Sequence, residues 1–376
     1  MIGHRVLILA FVAFLSGCQS EPGQPAPAPA KPAQAFQPVK MQPIQVRPLK
    51  FSDVIRGGDR VVFVGDDLTQ QMYYTRGIAS ALLGMKPGDG LRFFNGGWDG
   101  ATAGAACEWV EDLLSACKPT VVFLCFGLND GKMLPPDDKV IGEYEENLRR
   151  LIDKCKAYPG VRTIVVMSSP AVQNGPGPDE NAGGYNQTLR RMAYSAQSVA
   201  GVKGVLFVDT FDPMRVLYAE ASRIRGDGLA AGRLPTEDGG IVLASTILWA
   251  IGVTREELEP VGWAPLKPRN MGRVRPALGI ELKEPEYRDA YHSRELYEKL
   301  RESDAAFFQA WRLSRQNPRA RPRDEMMAKA DASWFEVETF VRRAYAGVRG
   351  APVAPPPAPA SPAPAPSDAP KPAAAE

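Results

Sequence analysis

Between Arg60 and Gly252, short apolar runs alternate with amphipathic stretches, and this alternation constrains the fold more than any other feature of the chain. The runs fall at 60–64, 91–94, 119–126, 162–168 and 204–208. They are almost continuously apolar, as strands are when both faces of their sheet are covered. Helical patterns lie between or after them at 69–83, 102–116, 141–156, 184–199 and 238–251. This order predicts an α/β fold, a three-layer α/β/α sandwich around a five-stranded parallel sheet. In such sheets the loops leaving the carboxyl ends of the strands carry the chemistry.

The two ends of the chain have a different character. His4 and Arg5 precede an apolar run, Val6–Leu15, too short to span a bilayer as a permanent helix, followed by Leu15-Ser16-Gly17-Cys18. The pattern resembles a bacterial lipobox, which implies cleavage before Cys18 and lipidation of its thiol. Multiple acyl chains would give firm attachment to the membrane. Ser20 in place of an acidic residue favours the outer membrane, so the expected address is the cell envelope, facing the periplasm. Residues 18–50 and 349–376 are Pro/Ala-rich and cannot build a core; they read as an extended tether and a spacer tail. The expected layout is therefore a signal peptide at 1–17, a tether at 18–50, the α/β domain at 51–262, a connector at 263–285, a helical extension at 286–348 and a tail at 349–376. In the extension, Tyr291, Leu296, Leu300, Phe307, Phe308, Trp311, Trp334, Phe335, Val337, Phe340 and Val341 fall at helical spacing, a pattern for packing rather than for a ligand box.

A formal net charge of +2 offers no basic surface for nucleic acid. Past Cys18 the cysteines are Cys107, Cys117, Cys125 and Cys155, whose spacing matches no zinc pattern. Cys125 lies in an apolar run and reads as a buried thiol, while Cys117 and Cys155, both near helix ends, leave a disulfide open.

Four stretches lie where strands end or the last helix begins: Gly65-Asp66-Asp67-Leu68-Thr69; "FNGGWDGAT", with Asn95, Gly97 and Gly100; "FGLNDG", with Gly127, Asn129 and Asp130; and "GRLPTEDGGIVLASTILWAIG". Together, and with Tyr185-Asn186, they resemble the SGNH/GDSL hydrolase family over roughly residues 58–252. The resemblance implies an esterase-type acyl hydrolase without a cofactor. It also implies a serine nucleophile in the first block, oxyanion-hole donors in the second and third, and an Asp-x-x-His pair in the last.

Carried onto this chain, the nucleophile position is Asp67, the oxyanion-hole positions are Gly100 and Asn129, the histidine position is Leu234 and the aspartate position is Ala231. No catalytic residue of the triad is intact. After His4 the only histidine is His292, whose Asp289-x-x-His292 spacing lies beyond the connector and reads as a decoy. An ionised carboxylate only accepts hydrogen bonds and the hole only donates them, so Asp67 is expected to take Gly100 N–H or the Asn129 amide. Clustered Asp66, Asp67 and Asp130 offer a cation site on paper, but Asp66 and Asp130 are better read as ties to loop backbone, and no metal is expected. The leading expectation is a lipid-anchored pseudoenzyme that binds an acylated carbohydrate or wall polymer. The alternative is an active esterase with relocated residues, drawing on Asp67 with His292, or on the hydroxyls of Thr69 or Thr102.

Overall fold

The computed structural model describes residues 48–173, 184–223, 229–258, 290–313 and 323–345, with Ile44, Val46 and Arg315. The expected signal peptide with Cys18, nearly all of the tether, the connector and the tail lie outside the described residues, as does the side chain of His292.

The elements run in chain order as α1 (Phe51–Val54), β1 (Arg60–Gly65), α2 (Asp67–Gln70), α3 (Tyr73–Met85), β2 (Arg92–Gly97), α4 (Ala103–Ala106), α5 (Val110–Cys117) and β3 (Val121–Cys125). Then come α6 (Asp138–Ala157), β4 (Thr163–Met167), α7 (Tyr185–Lys203), β5 (Leu206–Val208) and α8 (Phe211–Arg223). A two-strand hairpin, β6 (Ala230–Ala231) and β7 (Leu234–Pro235), leads into α9 (Glu237–Ala250) and α10 (Arg255–Leu258). The extension is α11 (Ala290–Phe308), a π-helical turn at Gln309–Leu313, and a last helix, α12 (Arg323–Ala344).

The five main strands pair in parallel in the order β2-β1-β3-β4-β5. Successive side chains along a strand point to opposite faces, and here each face meets its own core. Val61, Phe63, Val121, Phe123, Val165 and Met167 join α3, α8 and α9 on one side. Val62, Val64, Val122, Leu124, Ile164 and Val166 join α4, α5 and α6 on the other. The strand order reverses between β1 and β3, so their carboxyl ends form the crevice where ligands bind in open α/β sheets. The loops after these two strands carry Asp67 and Asn129.

The extension covers the β2 edge. Phe93 packs on Trp334 with ring centroids 6.5 Å apart. Its neighbour Phe94, on the opposite face, packs on Phe307 at 5.0 Å. Arg92 pairs with Asp331 at 2.5 Å. The extension thus wraps the edge strand and contributes to both cores, with Leu296, Leu300, Val337 and Phe340 in one and Phe307, Trp311 and Ala330 in the other. Covering an edge removes a row of backbone groups open to pairing with another chain. Cys107, Cys117, Cys125 and Cys155 are all buried free thiols, so the pairing left open for Cys117 and Cys155 is not made. Among the described residues, no helix is long and apolar enough to cross a membrane.

Candidate functional site

Asp67 begins α2 directly after β1. The preceding Asp66 caps that helix, its carboxylate accepting Leu68 N–H at 3.1 Å. Asn95, within β2, donates to Thr69 O at 2.7 Å and accepts Gly97 N–H at 2.9 Å, which ties the second-block loop to α2. A Cβ on Gly97 would lie 2.2 Å from the Gln70 backbone nitrogen, so only glycine permits this approach. Gly100 has φ +74°, a left-handed conformation that glycine adopts without cost. In the third block, Asp130 accepts Ala103 N–H at 2.9 Å and Gly127 N–H at 3.0 Å, locking the second and third loops together.

Within this frame the structure brings Asp67, Gly100 and Asn129 together. One oxygen of Asp67, Oδ2, accepts Gly100 N–H at 2.8 Å and the Asn129 Nδ2 amide at 2.5 Å. Asn129 Nδ2 also donates to Ala101 O at 3.1 Å. The other oxygen, Oδ1, accepts from the Arg233 guanidinium at 2.5 Å. A second Arg233 nitrogen donates to Asn129 Oδ1 at 3.1 Å, which fixes the orientation of that amide. Asp67 is 4% exposed, whereas the Arg233 side chain is 38% exposed.

Arg233 was not singled out from the sequence. It sits in the two-residue turn between β6 and β7, after Gly232 at φ +66°, a glycine-first hairpin turn. Its neighbour Leu234, at the position where the resemblance puts the base, is half-buried and packs against the apolar core. Ala231 lies in β6. Thr236 then caps α9 by accepting Gly239 N–H at 3.2 Å. The fourth block thus keeps its backbone architecture while presenting a cation to Asp67. The two hydroxyls considered as substitutes are both engaged. Thr69 is fully buried and bonded to Tyr74 at 2.8 Å, and Thr102 caps α4 by accepting Ala105 N–H.

The charges follow from these contacts. Burial works to raise the Asp67 carboxyl, but hydrogen bonds from Asn129, Asp99 and Gly100 outweigh it and hold the group below the ordinary carboxylate range. Exposed Asp99 is displaced the other way, upward, by its hydrogen bond to Asp67 and by the Asp67 charge. Burial pushes Asp66 well above the usual range, and the neighbouring Asp67 charge adds to this. Burial also raises Asp130, to about 6, against the pull of its two N–H partners. Asp67 is therefore held ionised, with its charge met by Arg233 and the two donors. Among the described residues, no cluster of three His, Cys, Asp or Glu side chains is placed to hold a metal ion.

Residues 63–229 match the profile of the GDSL-like Lipase/Acylhydrolase family. This domain belongs to the SGNH/GDSL hydrolase family. Solved structures with similarity to the chain include BT4096, a gut microbial diltiazem-metabolizing enzyme, at 24% identity and TM-score 0.48, over 53% of this chain and 48% of that one. The chain thus spans about half the length of that enzyme. A catalytic mutant of Axe2, an acetylxylan esterase from Geobacillus stearothermophilus, aligns at 24% identity and TM-score 0.46, over 57% of this chain and 99% of that one. LAE5, an alpha/beta hydrolase enzyme from the metagenome of Lake Arreo, Spain, aligns at 20% identity and TM-score 0.43, over 53% and 97%. A comparison with curated protein sequences returns no match. In this SGNH/GDSL domain the five parallel strands and the four loop blocks occupy the places that the sequence pattern predicts for them.

Proposed function

We propose that this SGNH/GDSL protein is catalytically silent: a lipid-anchored protein of the bacterial envelope that binds its ligand and does not cleave it. One observation carries the reading: Asp67 Oδ2 occupies both donors, Gly100 N–H and the Asn129 amide, that would otherwise hold the oxyanion of an acyl-transfer transition state. The same atoms cannot serve a substrate while Asp67 holds them. The other oxygen is neutralised by Arg233, which lowers its nucleophilicity. The fourth block supplies Leu234 where a general base would stand, so water attack on an acylated Asp67 would lack its activator. Anchoring through Cys18 and an outer-membrane address rest on the Leu15-Ser16-Gly17-Cys18 pattern. The ligand class we infer, an acylated glycan or wall polymer, rests on the acylhydrolase family and on that address.

The rival reading, an active hydrolase with relocated residues, draws support from the exposed Asp99 carboxyl, which its interaction with Asp67 raises above the ordinary range. Hydrolysis of short-chain p-nitrophenyl esters by the full chain, beside Asp67→Ala, separates the two. No turnover above the blank is expected. Turnover that Asp67→Ala abolishes would overturn the silent reading and make Asp99 the next residue to replace.

A further inference from the structure

The C-terminal extension reaches the site as well as the sheet edge. Gln70, the last residue of α2, places its side-chain oxygen between two donors: Asp99 N–H at 2.7 Å and the Arg312 guanidinium at 2.6 Å. Arg312 lies in the π-helical turn that ends α11. Its guanidinium carbon stacks 4.3 Å from the Trp98 ring centroid and 4.7 Å from that of Phe308. The adjacent Trp311 packs on Trp98 at 5.5 Å and on Trp109 at 5.6 Å. Two consecutive side chains of the turn therefore grip the same loop, one through the aromatic cluster and one through Gln70. π-Helical turns are often found at functional sites.

The loop so gripped, Trp98-Asp99-Gly100, carries the N–H that meets Asp67. Asp99 and Gly100 are themselves exposed, so no core packing fixes them. We propose that Arg312 is a positioning residue: through Gln70 and Trp98 it holds the 98–100 loop, and with it Gly100 N–H, against Asp67. The extension is then a working part of the site, and lifting it from the β2 edge releases one donor of the hole. This inference goes beyond the silent-enzyme reading and holds whether or not the site turns over an ester.

The test is residue-resolved hydrogen exchange by NMR on the full chain in native, Arg312→Met and Gln70→Leu forms. Gln70→Leu changes no charge, so it separates positioning from the field of Arg312. Loss of one hydrogen bond's worth of support corresponds to about fivefold faster exchange at Gly100. The expected result is that acceleration in both variants, at least as large in the double variant, and unchanged rates at Phe63 and Phe123 in the central strands. Native exchange at Gly100 in either single variant would overturn the proposal. So would an equal acceleration at Phe63 and Phe123, which would mean general loosening.

Discussion

Replacing Arg233 by Met tests how strongly the fourth-block turn is tied to Asp67. The pair is 2.5 Å apart, with Asp67 4% and Arg233 38% exposed. A hydrogen bond to a charged group contributes about 1.5–3 kcal/mol when well buried. With the arginine more than a third open to water, about 1–2 kcal/mol is the expected cost of the substitution at neutral pH. The sign of the pH dependence follows from the carboxyl. Asp67 is held below the ordinary carboxylate range. Its contribution is therefore present above the unfolded-state value of about 3.9 and is lost as pH falls through the lower folded-state value. The gap between native and Arg233→Met should narrow progressively below about pH 4 as Asp67 takes up its proton. Urea unfolding of the full chain, followed by tryptophan fluorescence at a series of pH values, reads both quantities. An Arg233→Met variant as stable as native at neutral pH, or a gap that stays constant down the acid limb, would refute the reasoning.

Three further outcomes are expected. Gly97→Ala should destabilise by about 3 kcal/mol or more, measured by thermal unfolding, because its Cβ would meet α2 backbone rather than a side chain able to turn away. Burial pushes Asp130 and Asp209 up to about 6 each. Each therefore contributes stability that is full below about pH 4 and lost as pH rises through about 6, worth about 3 kcal/mol at most. Stability should fall over that window, and Asp209→Asn should flatten part of the slope. Asp67→Ser alone should show no ester turnover, because Leu234 still offers no base. Adding Leu234→His is the variant from which a serine-dependent signal is expected in the p-nitrophenyl ester assay.

Much of the fold is legible in the sequence because buried parallel strands advertise themselves. Each apolar run became a strand within three residues of the expected ends. Helix α8 escaped notice because Phe211-Asp212-Pro213 reads as a break, although proline is tolerated in a first helical turn. The pattern at 69–83 reads as one helix but divides into α2 and α3 at Met72, which adopts φ +67°. No periodicity signals a left-handed residue that is not glycine. In the site, Asp67, Gly100 and Asn129 were readable because each occupies a register fixed by neighbouring motif residues. Arg233 was not, because it stands one residue before the position that the motif defines and looks like an ordinary turn residue. The missing signal was energetic: a carboxylate placed beside a buried Asp66 and a buried Asp130 calls for a cation nearby. Gly232-Arg233 is a turn able to deliver one.

On the silent reading, the residues at the site form one coupled set. A carboxylate at position 67 is compatible with two converging donors, so Gly100 N–H and the Asn129 amide are both satisfied by it. Those two donors satisfy only one oxygen, however, and the second would be left charged on a residue only 4% exposed. Arg233 supplies that partner and, by bonding Asn129 Oδ1, also orients the amide that serves the first oxygen. With a guanidinium in the mouth, an imidazole next to it would lose basicity through like-charge repulsion. A leucine at 234 instead joins the core. The geometry is thus self-consistent as a closed electrostatic circuit. Any acyl chemistry at Asp67 must first break the Asp67–Arg233 pair.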